Sequence, residues 1–344
     1  MKRVEYIWLD GDTPLPKLRS KTKYVDISGG VPSWNFDGGS TKQGTLSDSD
    51  RNLTCVRTYE DPFNEGGYLA LCEVFYQSVE RPECILNPHE SNMRRFLSET
   101  VEDCPGILVG FEQEFTLMDA RTNDPLGFAL APKEQGQYYC GVGRKNIVGR
   151  FLIDEFEARC VSAGIDLYGV NAEVMPGQWE FQTNAADPVK AADDLWVCRY
   201  ILDRITENMP ILVSYDPKPH EAFNGAGCHT NISTERMRES FREVDYEGLL
   251  LLLKGAHKDY IKVCGEGLDK RLTGDCETSD YMEFSWGIGD RGASVRIPTK
   301  VYEDGAGYIE DRRPCANIDP YQLLFSLIST IKESDLSREL SQSL

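Results

Sequence analysis

Among the eleven cysteines of this 344-residue sequence there is no Cys-x-x-Cys pair, and their spacing is irregular. That argues against zinc ribbons and disulfide frameworks and points to buried, reduced thiols in a cytosolic protein. The phosphate-loop pattern G-x-x-x-x-G-K-[ST] is missing, so a bound nucleotide has to be held by other means. The longest aliphatic run is the five leucines from Leu249 to Leu253, far short of the roughly 20 residues that cross a bilayer. Met1-Lys2-Arg3-Val4-Glu5 runs straight into a strand-like segment without the apolar core of a secretory leader. Positive charge is scarce. Lys and Arg number 37 against 56 Asp and Glu, a formal charge of −19 that repels nucleic acid and anionic membranes. Histidine is rarer still, with four. Hydrophobic residues make up 40%, enough for a sizeable core and too many for global disorder.

What is present divides into two parts. Residues 1–86 read as strands and turns, with strand patterns at 5–9 and 68–76 and a Gly, Ser, Asp and Thr-rich loop over 28–50. From about His89 the pattern alternates, with helices expected over 90–102, 147–163, 188–208, 246–263 and 320–334. Asp187-Pro188 and Asp319-Pro320 each place a capping residue before a proline at the first helical position. This alternation predicts an α+β domain behind a small β domain.

The unusual feature is carboxylates in strand-like, apolar surroundings. In Phe111-Glu112-Gln113-Glu114-Phe115, Glu112 and Glu114 fall on one face, and Ile107, Val109, Phe111, Phe115 and Leu117 on the other, with Gln113 the exception. Taken alone, such a pair also fits a solvated strand face. In residues 171–182, Glu173 and Glu180 stand three residues either side of the Pro176-Gly177 turn signal, and a two-residue hairpin would set them opposite each other. Trp179, Phe181, Val174 and Met175 argue against a fully exposed hairpin. His229 closes the small-residue loop Asn224-Gly225-Ala226-Gly227-Cys228, whose glycines would let a ligand approach the backbone; Asn231 and Ser233 follow on the same strand face. A structural histidine fits that position too. With Glu310, these five Glu and one His suffice for two divalent cations, and mixed carboxylate and imidazole donors suit Mg²⁺ or Mn²⁺.

Arg271, Arg291, Arg296, Arg312 and Arg313 crowd the last quarter of the chain. Arginine's fork grips carboxylate and phosphate, although surface ion pairing is common in so acidic a chain. Gly287-Ile288-Gly289-Asp290-Arg291-Gly292 matches G-x-G-x-x-G, but a strand-like segment follows where a dinucleotide fold needs a helix. Two metals among arginines make a phosphoryl-transfer site.

Trp34-Asn35-Phe36-Asp37-Gly38-Gly39-Ser40-Thr41, Glu112-Gln113-Glu114, Tyr138-Tyr139-Cys140-Gly141-Val142-Gly143, residues 171–182, 224–231, Arg271-Leu272-Thr273-Gly274 and 308–317 together resemble eukaryotic-type (class II) glutamine synthetases, in the same order and over nearly the whole chain. The resemblance implies a small N-terminal β-grasp domain, residues 1–86, followed by a catalytic domain, 87–344, with a curved antiparallel sheet flanked by helices. It implies a cytoplasmic homodecamer with active sites between subunits, ATP as co-substrate, and glutamate and ammonium as the other substrates. Glu114, Glu173 and Glu180 would hold one Mg²⁺ or Mn²⁺, and Glu112, His229 and Glu310 the other. Arg271 and Arg312 would grip the substrate α-carboxylate, with Asn224, Gly225, Tyr139 and Ser40 also at the substrate. Arg291 and Arg296 would face the transferred phosphoryl group. Glu180, Asn231, Ser233 and Tyr308 would contact the nucleotide. Asp37, Tyr139 and Glu277 would form the ammonium pocket, with Glu277 on a closing flap.

The sequence departs from the family pattern at Gly39, Cys276, Asp290 and Leu108, where serine, histidine, asparagine and tryptophan are usual. The first strand begins close to Met1, so the family's N-terminal helical arm is expected to be missing. Two further readings are a ligase for another amine and a scaffold that has lost catalysis; the second predicts lost ligands or arginines, and none is lost.

Overall fold

The computed structural model describes residues 1–77, 85–128 and 136–334. The chain opens with strands β1 (Lys2–Leu9), β2 (Leu18–Val25), β3 (Trp34–Asp37), β4 (Asp50–Glu60), β5 (Tyr68–Gln77) and β6 (Ile85–Pro88). They form one sheet in the order β2-β1-β5-β4-β3, with β6 on β5. β1 and β5 are parallel, and the remaining pairs antiparallel. The region expected to be loop over 28–50 therefore contains a strand, β3, and a 3₁₀ turn at Gly38–Thr41. Its pairing partner β4 lies beyond the loop, so local composition could not reveal it. β6 carries this sheet two residues past the expected boundary at 86.

Period-two alternation gives the sheet two buried faces. Val4, Tyr6 and Trp8 join Ala70, Cys72 and Val74 in a small core, while Ile7, Leu69 and Leu71 enter the main one. That shared core ties the first sheet to the rest of the chain.

The remainder alternates. It runs through α1 (Met93–Glu102), β7 (Leu108–Asp119), α2 (Arg150–Ser162), β8 (Leu167–Ala172), β9 (Gln178–Thr183), α3 (Pro188–Thr206), β10 (Ile211–Ser214) and β11 (Cys228–Ser233). It continues through α4 (Glu235–Glu239), α5 (Glu243–Tyr260), α6 (Leu268–Arg271), β12 (Trp286–Ile288), β13 (Val295–Ile297), α7 (Thr299–Asp304), β14 (Ile309–Asp311) and α8 (Pro320–Lys332). The second sheet has the order β12-β13-β14-β11-β7-β9-β8, with β10 on β7. All its pairs are antiparallel except β12 with β13.

All five expected helices form, with shifted ends. α2 starts at Arg150 because Gly149 takes a left-handed φ of 82° before it. α5 starts three residues early and passes into 3₁₀ at Ile261–Val263. Both Asp-Pro starts cap as expected. Asp187 accepts from Val189 N and Lys190 N, and Asp319 from Tyr321 N, each cap contributing about 1 kcal/mol.

One buried carboxylate joins the two parts. Asp193 on α3 accepts from Arg57 Nε of β4 at 2.7 Å, Arg94 Nε of α1 at 2.8 Å and Tyr321 Oη of α8 at 2.7 Å.

The cysteines follow the expectation with two exceptions. Among the described residues seven are buried and Cys55 is half-buried, but Cys140 and Cys276 are exposed; Cys84 lies outside the described residues.

Candidate active site

The large sheet brings distant carboxylates together through register. Glu114 on β7 lies opposite Glu180 on β9. Glu112, two residues away on the same face, lies opposite His229 on β11. On the other edge of β11, Asn231 lies opposite Glu310 of β14, which in turn faces Arg296 of β13. Two groups of donor atoms result: Glu112 with His229 and Glu310, and Glu114 with Glu173 and Glu180. Within each group the atoms lie within 4.8 Å of one another.

Glu173 arrives by a different route from the expected one. Pro176-Gly177 does not make a two-residue turn: β8 ends at Ala172, β9 starts at Gln178, and Asn171, not Glu173, lies opposite Glu180. Glu173 N bonds to Gln178 O at 3.0 Å, closing the loop. Glu173 still reaches Glu114 and Glu180, because Asn171 Nδ2 holds its Oε1 at 2.9 Å.

Such a group of carboxylates is costly without positive charge. Burial, and then the Glu114 charge, push Glu180 up to about 9 and Glu173 up to about 8. Burial also raises Glu114, against the pull of Arg271. A divalent cation removes this cost by replacing the protons. Oxygen donors in this number suit Mg²⁺ or Mn²⁺, so the residues fit the cations the sequence implied. In the second group His229 Nδ1 lies 3.5 Å from both Glu112 and Glu310. Burial, then Arg312, hold its imidazole neutral, the state a metal ligand needs.

Amides orient these acids. Asn231 Nδ2 donates to Glu112 at 2.8 Å, Gln182 Nε2 to Glu180 at 2.7 Å, and Gln178 Nε2 to Glu114 at 3.3 Å. Gly227 N donates to Glu114 at 2.9 Å. The glycines of the 224–228 loop also leave room for other parts of this chain. A side chain at Gly227 would sit 2.3 Å from Arg271 Nη2, and one at Gly225 2.8 Å from Arg271 Cγ. They make room for Arg271, whose Nη2 meets His229 Nε2 at 3.1 Å and whose Nη1 donates to the carbonyls of Arg312 and Arg313.

The other arginines divide. Arg296 and Arg312 both hold Glu310, at 2.6 and 2.5 Å, and Arg312 Nε donates to Arg291 O at 3.0 Å. Arg313 points the opposite way, into the core, paired with Asp311. Tyr308 is half-exposed, and the charges of Glu112 and Glu310 add to burial in raising its phenol. Tyr139 is raised by burial, then by Cys140 and Glu173, which puts it beside the first carboxylate group. Asn224 Nδ2 reaches Glu277 Oε2 at 3.4 Å. Cys276 and Glu277 are consecutive left-handed residues, φ 56° and 59°, and such strain is held at loop tips that place a side chain. Ser233 Oγ accepts from Arg238, and the next residue, Thr234, caps α4. Asp37 and Ser40 are not drawn into the group. They sit on the first sheet, where Asp37 accepts from Gly39 N at 3.0 Å and Ser40 Oγ at 2.7 Å.

A family model for the catalytic domain of glutamine synthetase matches residues 90–247. The chain is 44% identical over 338 residues to a glutamine synthetase of Streptomyces viridochromogenes, covering 95% of this chain and 96% of that one. The chain belongs to the glutamine synthetase family. It is 41% identical over 340 residues to the glutamine synthetase nodule isozyme of Medicago sativa, covering 95% and 93% of the two chains. With a cytosolic glutamine synthetase isozyme of Pinus sylvestris the identity is 41% over 324 residues, covering 92% and 90%. A cryo-EM structure of Plasmodium falciparum glutamine synthetase shares the fold, with a TM-score of 0.75 at 16% identity over 96% of this chain and 71% of that one. A structure described as apo GmaS without ligand also has a TM-score of 0.75, at 20% identity over 99% and 83%. No helix among the described residues is long and apolar enough to cross a membrane.

Within the glutamine synthetase frame, the residues that sequence reasoning missed are the orienting amides Asn171, Gln178 and Gln182. They had a signal. Each stands two residues from an acid, in Asn171-x-Glu173 and in Gln178-x-Glu180-x-Gln182, the latter along one strand face.

Proposed function

We propose that this chain carries out its family's reaction: it is a glutamate–ammonia ligase that makes L-glutamine and cleaves ATP to ADP and phosphate. The observation that carries this is the pair of three-residue donor groups on one sheet face, bordered by Arg271, Arg296 and Arg312. Glu114, Glu173 and Glu180 would hold one Mg²⁺ or Mn²⁺, and Glu112, His229 and Glu310 the other. When bound, these cations neutralise phosphate oxygens and so lower the barrier to phosphoryl transfer.

A carboxylate is a poor electrophile, so the glutamate side chain is first converted by ATP to γ-glutamyl phosphate. Arg271 and Arg312 hold the α-carboxylate, with Asn224, Gly225, Tyr139 and Ser40 around the substrate. Arg291 and Arg296 meet the charge on the moving phosphoryl group. Arg296 and Arg312 share Glu310, so either can turn to an anionic substrate once Glu310 serves a cation. Glu180, Asn231, Ser233 and Tyr308 line the nucleotide site. Asp37, with Tyr139 and Glu277, attracts ammonium, and Asp37 takes the proton that frees ammonia to attack. Closure of Glu277 over the site keeps water from the acyl phosphate.

Residues 1–86 and 87–344 act as two domains in this reading. The protein works in the cytoplasm as a homo-oligomer, a decamer, with a neighbouring subunit's first sheet completing each site. Its charge of −19 disfavours nucleic acid and membrane partners.

A coupled assay of ADP release with glutamate, varying ammonium, hydroxylamine and alkylamines, tests the reading. Release that depends on glutamate and is fastest with ammonium is expected. Release that prefers an alkylamine would reassign the substrate, and no glutamate-dependent release would end the proposal.

A further inference from the structure

Gln113 is a polar residue on the core side of β7, between Phe111 and Phe115, and it is fully buried. A buried amide is costly unless both ends are bonded, and here both are. Its Oε1 accepts from Arg199 Nε at 2.9 Å and Nη2 at 2.6 Å, and its Nε2 donates to Glu114 O at 2.7 Å and Ala316 O at 3.0 Å. Arg199 comes from α3 and is itself buried. Its Nη1 also donates to Ile318 O at 2.7 Å and its Nη2 to Ala316 O at 3.0 Å. These partners are all neutral; its ring contacts are Trp196 and Tyr215, at 4.8 and 5.2 Å. Its charge opposes the burial that raises the carboxyls of Asp203 and Asp319, and buried ionic groups of this kind can often be replaced by apolar residues of the same volume without loss of stability.

What the guanidinium does is fasten three pieces of the site from behind. The first is β7, with Glu112 and Glu114. The second is the 314–318 segment, which continues from Glu310 and Arg312. That segment bonds in turn to the third: Cys228 N donates to Pro314 O at 2.9 Å and Ala316 N to Ala226 O at 3.0 Å, next to His229. Glu114 N closes the circuit on Gly227 O at 2.9 Å. We infer that Arg199, acting through Gln113, is a positioning residue that sets the spacing of both donor groups from the back of the sheet. The inference rests on the two-cation reading above. Supporting partners of metal ligands are typically worth about 10- to 100-fold in metal affinity.

The test is Mn²⁺ binding to the full-length protein without substrates, read by the loss of the free-ion electron paramagnetic resonance signal, alongside the melting temperature. Arg199→Lys keeps the charge and loses the fork. It is expected to weaken Mn²⁺ binding about 10-fold or more. Gln113→Met, which fills the same space without the bonds, should weaken it similarly, and the double variant should be no weaker than the worse single one. If both singles fold, melt lower and bind Mn²⁺ within twofold of the unaltered protein, Arg199 is structural only and the inference falls. Additive losses in the double variant would also overturn it, since the two residues would then act separately. If Arg199→Lys does not fold, Gln113→Met decides alone by the same criterion. An unaltered protein that binds no Mn²⁺ would remove the two-cation reading, and this inference with it.

Discussion

Binding of Mn²⁺ at pH 7 is expected to expel protons, because the carboxyls of Glu173 and Glu180 hold them in the absence of the ion. Burial and the Glu114 charge put Glu173 at about 8 and Glu180 at about 9. A carboxyl with the first value is about 90% protonated at pH 7 and one with the second about 99%, so the group carries about two protons. A cation that needs all three oxygens ionised must displace them, so its apparent affinity rises with pH at about two log units per pH unit below pH 8, roughly 100-fold from pH 6 to 7. The dependence vanishes above pH 9 to 10. The stability of the ion-free protein changes in the opposite sense. These carboxyls titrate near 4.5 when unfolded, so their raised folded values favour folding at low pH. That contribution is lost as pH climbs from about 4.5 through 8 and 9. Isothermal titration of Mn²⁺ in buffers of different ionisation enthalpy counts the protons directly. Glu173→Gln should lower both the count and the slope by about one. A release below about half a proton at pH 7, or a flat affinity from pH 6 to 8, would refute the grouping of these acids around one ion.

Asp193→Ala leaves Arg57, Arg94 and Tyr321 without their shared acceptor, and breaking a buried pair costs about 3–5 kcal/mol. Urea denaturation measures it, and a loss under about 1 kcal/mol would mean that Asp193 does not clamp the two sheets together. Asp37→Ala is expected to weaken ammonium use far more than glutamate-dependent phosphate transfer; equal loss of both in steady-state assays contradicts its role. Glu277→Ala should raise the ratio of ADP formed to glutamine formed, as water reaches the acyl phosphate, and an unchanged ratio removes it from the closing loop.

Local periodicity made one member of each donor group legible. Glu112 and Glu114 share a face because side chains alternate along a strand, and no long-range knowledge is needed for that. What the sequence could not display is register. The pairing of Glu112 with His229, and of Glu114 with Glu180, spans more than sixty residues of chain, and nothing local in either segment specifies it. The Pro176-Gly177 signal misled for a related reason. Turn chemistry locates a reversal but not its loop length, and the loop here takes in residues 173–177. The strand at Trp34–Asp37 was hidden by its brevity and by the glycines that follow, although Asp37 caps the turn after it in the ordinary way. The glycines before His229 also leave space for Arg271, which the sequence could not reveal because it does not say which distant side chain passes them.

Gln113 and Arg313 make the same physical point from either side of β11. Both are polar residues on the core side of strands whose other face carries the acids. Along β14 and the two residues after it, Arg313 and Asp311 are buried and form a two-toothed pair, at 2.9 and 2.7 Å, while Glu310 and Arg312 face the site. His257 completes the arrangement, Nδ1 toward Arg313 Nη1 at 3.3 Å and Nε2 toward Tyr281 O at 3.0 Å. A strand with apolar residues at these positions would bury as much surface, at less electrostatic cost. It would also lose a safeguard. A slip of one residue on β14 exchanges Glu310 for Asp311 and Arg312 for Arg313, turning every side chain to the wrong face. With the charged pair in place, that slip exposes a matched fork and buries Glu310 without its partners, an error of several kcal/mol. A site whose donor atoms must agree to within an ångström gains more from a register that cannot slip than from the last increment of stability.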